Sequence, residues 1–210
     1  EGINQKYEYK VVQIGNIIKK EIINFSKDYN QSDNQKISIL ILGGSQAAKI
    51  FANNLPSVFK NCSDQGILLK IYQQCLPEQN EDLKQFYKKN NLDFSIFNFS
   101  ENIVEYFSKV NLAITRSGSS MLAELTNANV PFISVPLPSS KDNHQLKNAI
   151  FYERKKFCLL IQEKDLKKKL MYLIREIYED NSILEKIKIN QRQYSDKNVY
   201  NNISKILKEI

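Results

Sequence analysis

Short apolar, β-branched runs alternate along this chain with longer stretches in which apolar residues return every three or four positions. That alternation is the pattern of βαβ units and confines the chain to a largely parallel sheet, because parallel strands need a crossover and an amphipathic helix supplies it. It predicts strands at Ile37–Leu42, Leu68–Gln73, Phe94–Phe97, Leu112–Thr115, Phe132–Val135 and Leu159–Ile161. Helices are expected between them, at Ala47–Phe59, Glu81–Asn90, Ile103–Phe107, Ser120–Thr126 and His144–Tyr152. The expectation is an α/β fold, a Rossmann-like parallel six-stranded sheet with helices on both faces. From Asp165 onward the pattern is helical only, through Lys167–Tyr178, Ser182–Asn190 and Asn198–Ile210. Ile203, Ile206, Leu207 and Ile210 form one stripe of this helical tail, a face meant for packing. The polar, aperiodic stretch Asp28–Lys36 reads as a loop, so residues 1–35 are an N-terminal segment leading into a domain of residues 36–210. A chain of 210 residues buries roughly 70% of its unfolded surface, which suits one large domain.

Two of the predicted strands end in glycine and serine immediately before a helix. Ile37–Leu42 breaks into Gly43-Gly44-Ser45-Gln46, and Leu112–Thr115 into Arg116-Ser117-Gly118-Ser119-Ser120. Such turns leave unpaired N–H groups and the positive end of a helix dipole aimed at one point, so two of them on one sheet can hold a diphosphate. Glycines let the backbone approach a ligand, and Ser45 can cap the helix or donate to a phosphate oxygen. Tightness of the turn alone also accounts for Gly-Gly-Ser. The glycine spacing is neither GxGxxG nor a Walker loop, which disfavours NAD and ATP.

In the second turn, Glu124 falls less than two helical turns inside, where a carboxylate can accept hydrogen bonds from the vicinal hydroxyls of a ribose; an exposed helical glutamate is the alternative. After Phe132–Val135, prolines stop the strand, a polar loop follows, and Asp142 or Asn143 can cap the next helix. His144 and Gln145 then stand in its first turn, with donors and acceptors suited to sugar hydroxyls. His144 is the single histidine, and no GxSxG elbow accompanies it, so a nucleophilic triad is ruled out. There is no Asp-x-Asp pair and no His/Cys/Asp cluster with metal spacing, hence no metal or cofactor is expected and no catalytic residue is assigned.

The formal charge of +7 admits an anionic membrane surface or nucleic acid as partner, but Lys, Ile and Asn are abundant together, as in a chain with a general compositional bias. Cys62, Cys75 and Cys158 are scattered and odd in number, the usage of reduced packing residues in a cytosolic protein. No apolar stretch is long enough to span a bilayer.

Three motifs in register, GGSQAA after a strand, then TRSGSSMLAEL, then PFISVPLPSSKDNHQLKNA, resemble the C-terminal domain of MurG-type peptidoglycan glycosyltransferases, family 28 enzymes of the GT-B fold. Gly15-Asn16-Ile17-Ile18-Lys19 is similar to the GNPVR segment that opens that domain, so the likeness covers nearly the whole chain. The resemblance implies transfer of N-acetylglucosamine from UDP-GlcNAc to undecaprenyl-diphospho-muramoyl-pentapeptide, lipid I, at the cytoplasmic face of the bacterial inner membrane, where the enzyme is peripheral. It implies that Gly44 and Ser45 meet the diphosphate, that Glu124 holds the ribose, and that Gly118, Ser119, Ser120, Met121, Leu122 and Ala123 line the nucleotide-sugar site. Ser100 would recognise uracil through its main chain, Gln145 with His144 would contact the sugar, and Lys19 stands where the family has Arg. Ala47 and Ile17 depart from a glycine and a proline of the family pattern.

The family also carries an N-terminal Rossmann domain with the acceptor site, the general base and a membrane-facing patch, and nothing in Glu1 to Asp28 matches it. The chain, which starts at Glu1 without an initiator methionine, is therefore expected to be the donor half, cut from a longer protein. The alternative is a non-catalytic UDP-sugar-binding subunit that works with a separate membrane-anchored acceptor subunit. No nucleic-acid partner is expected on either reading.

Overall fold

A computed structural model describes residues 5–12, 14–25, 36–43 and 45–209. Its centre is a six-stranded, all-parallel sheet formed by β1 (Ile37–Leu42), β2 (Leu69–Gln74), β3 (Asp93–Phe97), β4 (Leu112–Thr115), β5 (Phe132–Ser134) and β6 (Leu159–Leu160), in the order β3-β2-β1-β4-β5-β6. This is the Rossmann order, with the sequence direction reversing between β1 and β4. The helices are α1 (Lys20–Ile23), α2 (Ser45–Asp64), α3 (Asn80–Lys89), α4 (Val104–Lys109), α5 (Ser119–Asn127), α6 (His144–Arg154), α7 (Leu166–Glu179), α8 (Ser182–Arg192) and α9 (Val199–Glu209).

Alternate strand residues feed two cores. Ile37, Ile39, Ile41, Ile71, Leu112 and Ile114 pack against Phe51, Leu55 and Phe59 of α2, Tyr87 of α3 and Leu170 and Ile174 of α7. Leu40, Leu42, Ala113 and Phe132 face the other way, onto Ile22 of α1, Phe107 of α4, Leu122 and Leu125 of α5 and Tyr152 of α6. Burial on both faces explains why the strands read as nearly continuous apolar runs. Ile18 and Ile22 are both buried, so part of the segment preceding β1 is built into the second core.

Apart from α1, which the sequence reading did not expect in the segment before Ile37, the differences from that reading lie at the ends of elements. β2 starts one residue late because Leu68 turns outward and is 51% exposed. Val135 lies past β5 although its N–H still donates to the Thr115 carbonyl, 2.8 Å away, before Pro136 ends the pairing. α2 continues past the expected Phe59 to Asp64 and carries Pro56 inside it. Pro56 gives up one helical bond, but Phe51 and Leu55 before it and Val58, Phe59 and Cys62 after it keep the buried face going. The three cysteines are free and buried, and burial pushes the Cys62 thiol up to about 11, where it stays protonated. In α9, Val199 is buried, Ile203 and Ile206 are half-buried and Leu207 is 68% exposed; the expected stripe is covered at its start and open toward its end, with Ile210 outside the described residues.

Candidate functional site

β1 and β4 are neighbours, with Leu42 opposite Thr115, so the two glycine-serine turns leave the same edge of the sheet side by side. The helices that follow depart to opposite faces, α2 into the first core and α5 into the second. A crevice therefore opens between the turns at the carboxyl end of the strands, the ligand position of open α/β sheets. α2 begins at Ser45 and α5 at Ser119, so two helix N-termini border the crevice. Gly44 lies outside the described residues. Gly118 occupies the N-cap of α5 without a side-chain capping bond, and a Cβ placed on it would meet nothing within 4 Å. Its value is the empty space, since its φ of −69° suits any residue.

The second turn is locked by residues far off in sequence. The Ser117 N–H donates to Gln145 Oε1 at 3.3 Å, its carbonyl accepts from Asn148 Nδ2 at 3.0 Å, and its hydroxyl lies 2.7 Å from that of Ser134. Gln145 Oε1 also accepts from the Leu137 N–H at 3.0 Å, clamping the β4 turn to the loop after β5. The acceptor oxygen of Gln145 is thus spent on the backbone, and only its amide N–H groups remain to offer a ligand. Arg116 is buried beneath the same turn. Its Nη1 donates to the carbonyls of Val135 (3.2 Å) and Pro136 (3.3 Å), its Nη2 pairs with Glu163 at 2.5 Å, and its guanidinium lies 5.4 Å from the Phe51 ring centre. Arg116 and Ser117 were legible in sequence only as members of the turn, and Ser134, Asn148 and Glu163 as site residues not at all; the helical spacing of Gln145 and Asn148 was the one signal for the pair.

Glu124 is half-buried on α5, and burial raises its carboxyl above the ordinary range while the nearby Lys19 ammonium pulls it back. The structure thus brings together Glu124 and Lys19 from positions over a hundred residues apart. Lys19, Ile22, Glu101, Ile103 and Tyr200 line a cavity of about 660 Å³, to which Lys19 is the one member of this pair that contributes. Ser100, half-buried, leads into the cavity's Glu101–Val104 rim just after β3, and Phe99 beside it is 77% exposed. Ser119 and Ser120 are exposed in the first turn of α5 and Met121 is half-buried, whereas the side chains of Leu122 and Ala123 point into the second core, leaving only their backbone to any ligand. His144 is exposed, begins α6 and has Nδ1 2.8 Å from the Lys141 carbonyl oxygen. Neither Asp142 nor Asn143 caps α6 with its side chain; both adopt left-handed backbone, which turns the loop sharply instead. Among the described residues no three His, Cys, Asp or Glu side chains group as a metal site.

The profile of the glycosyltransferase family 28 C-terminal domain matches residues 38–203, which takes in the sheet from the second residue of β1 onward and both turns. The chain belongs to glycosyltransferase family 28. A UDP-N-acetylglucosamine–N-acetylmuramyl-(pentapeptide) pyrophosphoryl-undecaprenol N-acetylglucosamine transferase of Pelagibacter ubique is 36% identical over 201 residues, covering 95% of this chain and 55% of that protein. The enzyme of the same name from Rickettsia canadensis is 31% identical over 179 residues, covering 84% and 51%. Among solved structures, Acinetobacter baumannii MurG superposes with a TM-score of 0.78 at 25% identity, covering 90% of this chain and 55% of that one. The chain therefore spans about half the length of its family 28 relatives.

Proposed function

We propose that this family 28 chain is the donor-binding half of an N-acetylglucosaminyltransferase that moves N-acetylglucosamine from UDP-GlcNAc onto lipid I. The observation that carries the reading is the convergence of the α2 and α5 N-termini on one crevice, with Glu124 and Lys19 beside it. In this assignment the diphosphate lies between the two turns, against Gly44, Ser45, Gly118, Ser119 and Ser120, and Glu124 accepts hydrogen bonds from the ribose hydroxyls. The uracil sits toward Ser100 and Lys19, and the sugar lies toward His144 and the Gln145 amide. Residues 36–210 form the body of the donor domain, and residues 1–35 join it to the acceptor half, with Ile18 and Ile22 of that segment packed into its second core.

The acceptor hydroxyl attacks the anomeric carbon from the face opposite the diphosphate, forming the new C–O bond with inversion as the bond to the diphosphate oxygen breaks. Negative charge grows on UDP as it leaves. Unpaired N–H groups and dipoles already fixed at two helix ends stabilise that charge without reorganisation. The acceptor proton goes to a general base contributed by the acceptor half, which also carries the lipid site and the contact with the cytoplasmic membrane surface. Among the described residues no helix is long and apolar enough to cross a membrane, and this half meets the bilayer only as a peripheral partner on this reading.

Calorimetry of the chain with UDP-GlcNAc tests the assignment. Saturable binding at millimolar ligand or below is expected, competed by UDP and not by NAD. No heat and no occupancy at millimolar UDP-GlcNAc would refute it.

A further inference from the structure

A buried carboxylate away from the crevice ties together three stretches of chain. Asp196, between α8 and α9, is 4% exposed. Its Oδ1 accepts from the Asn16 backbone N–H at 2.9 Å and from the Tyr194 hydroxyl at 3.2 Å, and its Oδ2 accepts from Asn127 Nδ2 at 2.8 Å. The Asn16 side chain donates to the Tyr194 hydroxyl at 2.8 Å and, at 3.4 Å, to Asp196 Oδ2. The Asp196 N–H returns a bond to Asn127 Oδ1 at 2.9 Å. The Asn16, Asn127 and Tyr194 groups that hold this buried carboxyl are all neutral donors, so the clasp depends on their geometry being kept. Gly15 shows how tightly the segment is seated: its φ is +94°, and a Cβ there would stand 2.7 Å from Asp196 Oδ1.

Two of the tied stretches wall the cavity of about 660 Å³, and the third, α5, carries Glu124. Asn16 lies three residues before Lys19, and Tyr200 lies four after Asp196; both Lys19 and Tyr200 line the cavity. The Tyr200 hydroxyl donates to the Ile18 carbonyl at 2.6 Å, and the Lys20 ammonium lies 5.8 Å from the Tyr200 ring centre. Asn127, the third anchor, ends the helix that carries Glu124. We propose that Asp196 is a positioning residue for donor binding: it fixes the Gly15–Lys19 segment to the end of α5 and so holds Lys19 facing Glu124 at the nucleotide pocket. The inference rests on the donor reading for its ligand but not for its geometry.

Two measurements on the chain test it. The first is a double-mutant cycle in UDP-GlcNAc affinity. Asp196→Ala is expected to weaken binding by at least about 10-fold in the parent chain and by less than about 3-fold when Lys19 is already alanine. Equal losses in both backgrounds, or no loss in the parent chain, overturn the proposal. The second is a carboxyl titration by NMR, with no ligand present, in which Asp196→Ala moves the Glu124 pKa further up as Lys19 drifts away. An unmoved Glu124 overturns the proposal whether or not UDP-GlcNAc binds. If Asp196→Ala does not fold, Asn127→Ala removes the two bonds of the same clasp that reach α5 and is held to the same two outcomes. Absence of binding by the parent chain refutes the donor reading alone, and the Glu124 titration still decides the role of Asp196.

Discussion

Replacing Glu124 by glutamine separates the cost of this residue to folding from its use in binding. The side chain is half-buried, and desolvation raises its pKa more than Lys19 lowers it. A carboxyl whose folded pKa lies above its unfolded value of about 4.3 adds stability below that value and loses the contribution as pH rises through the folded pKa. At pH 7 the folded chain therefore bears the full penalty of a desolvated charge, and Glu124→Gln removes it. The free protein is expected to melt at the same temperature as the parent or higher at pH 7, the difference closing as pH falls below about 4. Binding moves the opposite way. A carboxylate accepts both ribose hydroxyls with charge assistance, whereas glutamine keeps one neutral acceptor. Losing one charge-assisted hydrogen bond costs about 1.5–3 kcal/mol, or roughly a 10- to 150-fold rise in Kd. Isothermal titration with UDP-GlcNAc reads this directly, and its doubly esterified diphosphate adds no second protonation near neutrality. The parent's affinity is expected to fall as pH drops through the raised Glu124 pKa, with the glutamine variant flat over the same range. A variant that binds as tightly as the parent, or one that melts lower at pH 7, refutes the reasoning.

Gly118→Ala places a methyl group in empty space, so thermal stability is expected to change by no more than about 1 kcal/mol while UDP-GlcNAc binding weakens at least 10-fold; unchanged affinity would show that no phosphate approaches this turn. Arg116→Ala leaves Glu163 without its partner and the Val135 and Pro136 carbonyls without their donor, and a loss of about 3–5 kcal/mol is expected in denaturant unfolding. Arg116→Lys should recover little of it, because one ammonium cannot span both carbonyls and the carboxylate. Deleting residues 198–210 removes the buried Val199 and the Tyr200 bond to Ile18, so the melting temperature should fall; no change in scanning calorimetry would show that α9 packs on nothing essential.

Local chemistry and long-range pairing were unequally legible. β1, β4 and the start of α6 could be placed from Ile37–Leu42, Leu112–Thr115 and His144 because periodicity and turn residues act within a few positions of themselves. β2 slipped by one residue because Leu68 is as apolar as its neighbours and only the sheet register turns it outward. Glu124 was visible as a carboxylate near a helix start, but its meeting with Lys19 was not. Gln145 was expected to face a sugar with both ends of its amide, and the structure spends its oxygen on Ser117 and Leu137.

What the residues by themselves determined is the class of machine: six apolar strands with crossovers, two glycine-serine turns before helices, and motifs in the order of family 28 donor domains. Strand order, the side-by-side placing of the two turns, the lock on Ser117 and the Asp196 clasp were decided only in three dimensions. Each depends on partners far apart in the chain, as Asn16 and Asp196 are at a separation of 180 residues. Hydrogen bonds and buried charges are set by which groups meet after the cores on both sides of the sheet have closed. Side-chain spacing along the chain carries no record of that meeting, since the same Asn, Asp and Gln would serve as ordinary loop and helix residues in another fold.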